Sequence, residues 1–336
     1  MIELGVIVLL SAPVLGLESA RADEPPSRPL RAGIIGLDTS HVVAFTKLLN
    51  ASNPKPELAG VRVVAAYPGG SPDLPTSHNR VAGYTKELRE KYGVAIVESI
   101  EDLLPRVDVV LLESVDGRPH LEQARPVFRA RKPVFIDKPV AASLADAIAI
   151  FELARESNTP CFSSSSLRFS PDLAAVRDNP KLGQVLGCDA YGPCTLEEHH
   201  PDLFWYGIHG VEVLATLMGP GCESVSRVQT KDTELAVGVW KDGRIGSFRG
   251  TRNAPYEFGA IVFGSKGNVP SRVDAGYEPL VVEIVKFFRT GKSPVSLAET
   301  LEVYAFMEAA DESKRQGGKP VSIESVMARA RSQVAR

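Results

Sequence analysis

A lysine that directly follows a short apolar segment is the first candidate for chemistry in this chain. The segment Val134–Ile136 is rich in β-branched and aromatic residues and is too short for a helix, so it predicts a buried strand. Asp137, Lys138 and Pro139 come next, and the proline prevents the strand from continuing. Open α/β sheets bind ligands beyond the carboxyl ends of their strands, which favours a binding role for Lys138. The alternative is a solvated lysine at a strand end.

The elements around this lysine alternate between strands and helices. Strands are predicted over residues 30–35, 61–67, 95–97, 107–112, 134–136 and 161–163, and helices over 39–50, 79–92, 100–104, 120–130 and 143–158. This alternation indicates a Rossmann-type, doubly wound parallel sheet. Right-handed crossovers place all strand ends on one edge, so we expect Gly36, Tyr67, Leu112 and Lys138 to line one crevice.

The pattern changes after about residue 165. Strands are predicted over 184–190, 225–230, 234–240, 245–250 and 257–263, and helices over 171–179, 207–218, 280–289 and 297–316. The turn Lys241-Asp242-Gly243-Arg244 is typical of a β-hairpin. We therefore predict a C-terminal α+β domain with a mostly antiparallel open sheet, with domains over 30–160 and 161–325.

Composition limits the partners of the protein. The 336 residues carry a formal net charge of −3 and no basic block, which excludes the electrostatic pattern of a nucleic-acid binder. A small soluble ligand is the expected partner. The four cysteines form no C-x-x-C motif, so a structural zinc site is not predicted. Cys188 and Cys194 could bridge a hairpin in an oxidising compartment, or all four cysteines are small buried side chains.

The N-terminus has the pattern of a secretory signal peptide. Residues 4–17 are apolar and Ala20-Arg21-Ala22 offers a small-x-small cleavage site, although the first three residues lack Lys and Arg. The apolar run is too short for a stable membrane span. We expect a signal peptide over 1–22 and export to the periplasm or the outside of the cell; without a functional signal, the protein is cytoplasmic.

The loop after the first strand departs from a dinucleotide fingerprint. Read as G-x-G-x-x-G from Gly36, it has Asp38 and His41 in place of the second and third glycines. A carboxylate at the second position would oppose a diphosphate. Alternatively, Asp38 caps the following helix by accepting from the N–H of Ser40 or His41. The hydroxyls of Thr39 and Ser40 could still hold a phosphate at the helix N-terminus.

The second strand ends without the acidic residue that usually binds the ribose of NAD. It continues as Tyr67-Pro68-Gly69-Gly70-Ser71, where Pro68 and Ser71 are candidate cofactor contacts. Without an acid, a 2′-phosphate meets no repulsion, which weakly favours NADP over NAD. A plain Pro-Gly-Gly turn is the alternative.

Taken together, the motifs resemble the glucose-fructose oxidoreductase / inositol dehydrogenase / MocA family (Gfo/Idh/MocA) from about Leu30 to Ile323. The motifs are Gly33-Ile34-Ile35-Gly36, the run 107–112 with His120 beyond it, Asp137-Lys138-Pro139, Leu167-Arg168-Phe169-Ser170-Pro171, Lys181-Leu182-Gly183-Gln184-Val185, Gly207-Ile208-His209 with Glu212, and Phe263-Gly264-Ser265-Lys266-Gly267. Their order and spacing carry the resemblance more than any single motif does.

The resemblance implies a dinucleotide-binding domain, then a domain for substrate binding and oligomerisation. It also implies an NAD(P)-dependent oxidoreductase that acts on a secondary alcohol of a sugar, glycoside or cyclitol. Lys138 and His209 match the family's acid–base pair, a histidine being able to take the hydroxyl proton near neutral pH. Glu212 stands where the family commonly has Asp, and is the third catalytic candidate. The predicted cofactor contacts are Gly36, Asp38, Thr39, Ser40, His41, Pro68, Ser71, Glu113, Ser114, His120, Lys138 and Arg168.

Several of these candidates also have a structural interpretation. His209 could be a core histidine, and Glu212 a solvated or salt-bridged helix residue. Arg168 could form an interdomain ion pair.

A polar loop, Glu197-Glu198-His199-His200, precedes His209 and adds substrate candidates. His199 and His200 could hydrogen-bond a substrate, bind a divalent metal ion, or belong to a solvated loop. Trp205 and Tyr206 could stack on a sugar ring or pack at the domain junction.

Two other functions remain open on the sequence alone. One is a cofactor-free or metal-dependent lyase, hydratase or epimerase on keto-sugars, which the altered glycine loop favours. The other is a non-catalytic carbohydrate-binding protein on the same fold. For each of the three we expect a small carbohydrate partner and a homo-oligomer.

Overall fold

The first half of the molecule forms a six-stranded, fully parallel sheet in the order β3-β2-β1-β4-β5-β6. The computed structural model describes residues 28–274 and 276–335. The strands are β1 (Leu30–Ile35), β2 (Val61–Tyr67), β3 (Ala95–Ile96), β4 (Val109–Leu112), β5 (Val134–Ile136) and β6 (Cys161–Phe162). Strand order reverses between β1 and β4, which creates the switch point where α/β sheets bind ligands. The predicted Rossmann-type sheet is confirmed.

Helices connect these strands at nearly the predicted positions. They are α1 (Ser40–Leu49), α2 (Pro75–Tyr92), α3 (Ile100–Leu103), α4 (His120–Arg129) and α5 (Leu144–Glu156). Gly93 ends α2 with a left-handed φ of 66°, and the Ser143 hydroxyl caps α5 by accepting from the N–H of Asp146.

The second half forms a seven-stranded sheet in the order β12-β11-β7-β10-β9-β8-β13. Its strands are β7 (Val185–Pro193), β8 (Cys222–Gln229), β9 (Thr233–Trp240), β10 (Ile245–Thr251), β11 (Phe258–Gly264), β12 (Asn268–Val273) and β13 (Val321–Ser322). All pairs are antiparallel except β7 with β10, so the predicted mostly antiparallel sheet is confirmed. The sequence missed β12, an edge strand with Pro270 and few buried residues, and the two-residue β13.

Five further helices accompany this sheet. They are α6 (Pro171–Arg177), α7 (Ile208–Met218), α8 (Glu278–Thr290), α9 (Leu297–Arg315) and α10 (Ile323–Val334). Helices α7 and α9 lie against the sheet. The sequence predicted only two closing helices, which is wrong: α10 buries only Val326 and Ala330, so its apolar periodicity is weak.

Helix α8 belongs to the core of the first domain although it follows the second sheet in sequence. Its apolar side packs with β1, β2 and α1 in one buried cluster, and Phe287 contacts Phe162 edge to face at 4.8 Å. Tyr304 on α9 accepts a 2.5 Å hydrogen bond from the N–H of Val140, just beyond the Lys138–Pro139 bond. The chain therefore returns to the first domain twice, and α9 fixes the segment that carries Lys138.

The four cysteines are present as free thiols. All four cysteines are free and buried, so Cys188 and Cys194 are not bridged. Within the described residues, no helix has the length and apolar character needed to cross a membrane. The predicted signal peptide, 1–22, lies outside the described residues, and export stays a prediction.

Candidate functional site

The loops that follow β1, β2, β4 and β5 meet at one edge of the parallel sheet, as expected. The N–H of Gly36 donates to Tyr67 O at 3.0 Å, and the N–H of Glu113 to Ile35 O at 2.8 Å. Gly36 has a φ of 86°, and a Cβ atom there would stand 2.3 Å from Ser114 Oγ. Only glycine permits this approach of the first loop to the loop after β4.

A cleft of about 590 Å³ opens above this edge, between the two domains. Its walls include Thr39, Ser40, His41, Thr76, Arg80 and Lys138 from the first domain, and Trp205, Tyr206, His209, Tyr256, Phe258 and Arg272 from the second. The structure thus brings several sequence-predicted residues together: the helix N-terminus 39–41, Lys138, His209 and the two aromatic residues 205 and 206.

Lys138 and His209 both line the cleft, and each lies next to the ring of Tyr206. The Lys138 ammonium lies 6.0 Å from the centre of the Tyr206 ring, which also contacts His209 edge to face at 5.2 Å. His209 Nδ1 lies 2.7 Å from Ser165 Oγ. The pKa of His209 lies well below its ordinary value, mainly because the ring is buried and also because the charge of Lys138 is near. The imidazole is therefore neutral near pH 7 and able to accept a proton.

Glu212 lies behind this pair rather than in the cleft. Its carboxylate accepts from Ser164 Oγ at 2.6 Å, from the N–H of Ser165 at 2.8 Å and from Arg168 Nε at 2.8 Å. Arg168 also approaches Glu299 on α9 at 3.6 Å, so it forms an ion-pair network and does not line the cleft. Glu212 and Arg168 thus form an ion pair, which is the structural interpretation that the sequence offered for each of them. Glu212 and His209 both contact Ser165, Glu212 at its N–H and His209 at its hydroxyl.

Asp38 is turned into the protein, and the predicted helix cap is wrong. The N-cap of α1 is Thr39, without a side-chain cap. The Asp38 carboxylate is fully buried and accepts from Ser77 Oγ at 2.6 Å and from the N–H of Val115 at 2.8 Å. Burial raises its pKa despite these hydrogen bonds. The carboxylate thus points away from the cleft, which removes the expected repulsion of a diphosphate.

The N-terminus of α1 fits an anionic group. No side chain caps it, and the Thr39 hydroxyl oxygen is buried without a hydrogen-bond partner among the described residues. Thr39, Ser40 and His41 face the same cleft as Arg80. Free N–H groups at a helix N-terminus attract phosphate through the helix dipole. These residues therefore fit the phosphates of a dinucleotide.

The Pro-Gly-Gly turn after β2 does not form the expected 2′-phosphate pocket. Ser71 donates its hydroxyl to Asp116 at 2.6 Å and its N–H to Ser77 Oγ at 2.8 Å. Pro68 accepts from the N–H of Leu37 at 2.7 Å. The turn folds back on the first loop, and the Ser71 hydroxyl that was expected to contact a 2′-phosphate is already bonded to Asp116.

His199 and His200 lie outside the cleft lining, contrary to their predicted substrate role. The His200 side chain is fully buried, with Nε2 3.2 Å from Asp116 Oδ1 and 3.2 Å from the N–H nitrogen of Gly117. His199 Nδ1 lies 2.8 Å from Glu197 Oε1. Their neighbours are carboxylates of the loops, because the polar segment 197–200 folds onto the turn after β4 rather than over the ligand space.

His120 and Ser114 support the loops from behind. The His120 ring is fully buried between Ser114 O at 2.9 Å and Val140 O at 3.2 Å, and burial lowers its pKa. The Ser114 hydroxyl donates to Gln123 at 2.9 Å. Neither residue lines the cleft, so their predicted cofactor contacts are replaced by a role in fixing the loops after β4 and β5.

A buried acidic group lies under the cleft floor. His41 Nδ1 is 2.6 Å from Asp137 Oδ2 and 3.8 Å from Glu113 Oε2. Burial acts to raise the pKa of Asp137, but His41 and Lys138 outweigh it and the net pKa is lowered. Burial and the Asp137 charge raise the pKa of Glu113 well above its ordinary value. The pKa values of the two carboxylates are thus shifted in opposite directions by their surroundings.

The sequence missed several residues that shape the site: Asp137, Ser165, Ser77 and Asp116, and the cleft-lining Thr76, Arg80, Tyr256, Phe258 and Arg272. Asp137 was visible next to Lys138, and Ser165 lies in the serine run 163–166, which offered a weak signal. Ser77 and Asp116 carried none, because their contacts join loops far apart in the chain.

The fold and the cleft together define a class of protein. A Rossmann-type domain with its ligand cleft at the switch point is followed by an α+β domain that supplies the opposite wall. Residues 30–164 match the family model described as an oxidoreductase family with an NAD-binding Rossmann fold, GFO_IDH_MocA. Over these residues the chain is similar to the Gfo/Idh/MocA family, as the sequence motifs indicated.

One curated relative is the myo-inositol 2-dehydrogenase of Thermotoga maritima, 25% identical over 213 residues. The match covers 55% of this chain and 63% of that protein. The chain thus spans less than two thirds of the length of the curated relative that it matches.

Solved structures share the whole architecture. A probable dehydrogenase from Thermotoga maritima has a TM-score of 0.72 at 21% identity, covering 88% of this chain and 100% of its own. A scyllo-inositol dehydrogenase from Lactobacillus casei with bound NAD(H) and scyllo-inositol has a TM-score of 0.72 at 14% identity, with coverages of 88% and 100%. At these identities the likeness shows the fold alone.

We expect Asp38→Ala to lower the free energy of unfolding by about 1–3 kcal/mol, since it leaves the Ser77 hydroxyl and the Val115 N–H buried without an acceptor. Urea unfolding followed by circular dichroism measures the change. Asp73→Ala is the control, because this exposed carboxylate has only surface partners, Arg118 at 2.8 Å and His199 at 3.7 Å, and we expect a loss of about 0–1 kcal/mol. Equal losses in the two variants would contradict a stabilising role of the buried hydrogen bonds that Asp38 accepts.

Proposed function

We propose that the protein is an NAD-dependent oxidoreductase that acts on a secondary alcohol of a cyclitol or sugar. The observation that carries the proposal is one cleft that holds an open helix N-terminus, Lys138 and the buried His209. The first feature suits the phosphates of a dinucleotide and the other two suit a hydroxyl group. The family match and the inositol dehydrogenase relative support the same activity and substrate class.

The side chains of the cleft have separate roles in the oxidation of the alcohol. His209, held by Ser165 and kept neutral by its surroundings, accepts the hydroxyl proton at Nε2, because Nδ1 faces Ser165. The Lys138 ammonium stabilises the negative charge that grows on the oxygen. Bound NAD supplies the acceptor for the hydride. Tyr206 and Trp205 form an apolar wall that suits the C–H face of a ring.

The choice of NAD follows from the turn after β2. Ser71 is already bonded to Asp116, and the Arg118 guanidinium is held by both Asp116 and Asp73. A 2′-phosphate next to this turn would be repelled by the carboxylates of Asp73 and Asp116. The Arg118 guanidinium would not offset the repulsion, because it is already paired with both carboxylates. NAD lacks that phosphate and avoids the repulsion.

The open face of the second sheet supports a homo-oligomer. Helices α7 and α9 cover one face, while Val228, Ile245 and Ile261 lie 68%, 56% and 40% exposed in β8, β10 and β11. Val239 pairs across from Ile245 and is 39% exposed. Exposed apolar side chains on several strands of one sheet are a feature of subunit interfaces. We propose that two copies pair through it.

We expect the purified protein to bind NAD by calorimetry and to reduce it in the presence of myo-inositol or scyllo-inositol. Lys138→Met should lower kcat/KM by about 10²–10⁴-fold, because it removes the charge that stabilises the alkoxide. Lys286→Met, on the exposed side of α8, is the matched control and should leave kcat/KM unchanged. Absence of NAD binding in the wild type would refute the proposal.

The depressed pKa of His209 predicts a distinctive titration. Its ring should gain a proton only at a lower pH than an ordinary histidine does. In Lys138→Met the loss of the neighbouring charge should move the titration to higher pH. Nuclear magnetic resonance of the histidine ring protons measures both, with His209→Gln to assign the signal. A wild-type midpoint at or above the ordinary value would contradict the described burial.

We expect Ile245→Asp combined with Val239→Asp to convert the oligomer to a monomer, since the facing carboxylates would be buried without partners. Light scattering after size exclusion measures the mass. Lys286→Asp, far from this face, is the control. A wild-type protein with the mass of one chain would rule out the interface.

A further inference from the structure

Three side chains from separate parts of the parallel sheet converge below the cleft floor. His41 comes from the first turn of α1, Glu113 follows β4 and Asp137 follows β5. One ligand atom of each, an imidazole nitrogen and two carboxylate oxygens, lies within 4.8 Å of the others. Phe45 and Tyr277 contact the His41 ring at 5.3 and 4.7 Å and hold its orientation. The group is therefore positioned by rigid elements rather than by a surface loop.

Glu113 is the member that the protein alone does not satisfy. Its side chain is 0% exposed, and neither carboxylate oxygen has a hydrogen-bond partner among the described residues. Buried carboxylates in proteins are paired, hydrogen-bonded or bound to a metal ion. Asp137, by contrast, accepts from His41 and from the N–H of Lys138 at 2.8 Å. Glu113 is thus the carboxyl group of this cluster that is free to bind an additional group.

The distances suit a small cation. Metal–ligand bonds of about 2.0–2.2 Å place the ligand atoms of a tetrahedral ion roughly 3.4 Å apart. The separations from His41 Nδ1, 2.6 Å to Asp137 and 3.8 Å to Glu113, lie on either side of that value. A bound ion would replace the proton between His41 and Asp137, and small shifts of the side chains would equalise the two distances.

We infer that His41, Glu113 and Asp137 form a binding site for a divalent transition-metal ion. One imidazole and two carboxylates suit Zn²⁺ or Mn²⁺. The inference does not rest on the proposed dehydrogenase activity, since the three residues would bind the ion whether or not a dinucleotide is present. His41 lines the cleft and Asp137 adjoins Lys138, so the ion would lie directly under the predicted reaction site.

A second group of possible ligands provides an internal comparison. Glu197, Glu198 and His199 also lie within 4.8 Å of one another, but they are partly or fully exposed. Each of these carboxylates can be hydrated, so the group does not require an ion. A measurement on both groups therefore separates the buried site from ordinary surface binding.

The test uses the full chain, stripped with a chelator and dialysed. Equilibrium dialysis with Zn²⁺ or Mn²⁺ and elemental analysis should give one ion per chain, and Co²⁺ should give a visible absorption band as it enters the protein. Glu113→Gln and Asp137→Asn should each weaken binding at least about tenfold. His199→Ala should bind like the wild type. Circular dichroism checks the fold, and His41→Asn, at the cleft surface, supplies a third variant if a buried substitution fails to fold.

Two results would overturn the inference. One is a wild-type protein that binds none of the three ions. The other is bound metal that disappears in His199→Ala but persists in Glu113→Gln and His41→Asn. Loss of NAD binding or of dehydrogenase activity would bear only on the proposed function, because metal content is measured without cofactor or substrate.

Discussion

The placement of one buried carboxylate determines the site. Asp38 accepts from Ser77 Oγ on α2 and from the N–H of Val115 after β4, and so joins three segments at the carboxyl edge of the parallel sheet. Were this charge to face the cleft, it would repel any phosphate at the start of α1. Because it is buried and hydrogen-bonded instead, the helix N-terminus stays open. The departure from the glycine fingerprint thus changes how the loop is held in place, and the N-terminus of α1 can still bind a phosphate.

Charges around the cleft are arranged in layers. At the surface, Lys138 and the neutral His209 face the ligand space, and Ser165 fixes the histidine ring. Behind them, Glu212 and Arg168 neutralise each other at 2.8 Å. The surface groups are therefore available for a hydroxyl group, while the deeper ones set their positions. The same residue types have different roles because burial and partners differ.

Much of the fold was predictable from the sequence, and about half of the site. The sequence located β1, β2 and β5 to the residue, because buried parallel strands are rich in apolar residues. Lys138 was found at the end of such a strand, and His209 and Tyr206 through the motif at the start of α7. Asp38, Ser71 and His200 were misjudged because their side chains turn toward partners distant in sequence. Helix α10 escaped because its burial is slight.

The return of α8 to the first domain has a consequence for the order of folding. The apolar surface of β1, β2 and α1 is covered only when residues 278–290 have been synthesised, after the whole second sheet except the short β13. The first domain is thus complete in sequence long before its core can close. A fragment ending near residue 165 would expose the face that Leu280, Ile284 and Phe287 normally cover. Nascent chains therefore pass through a stage in which the parallel sheet still exposes an apolar, aggregation-prone face.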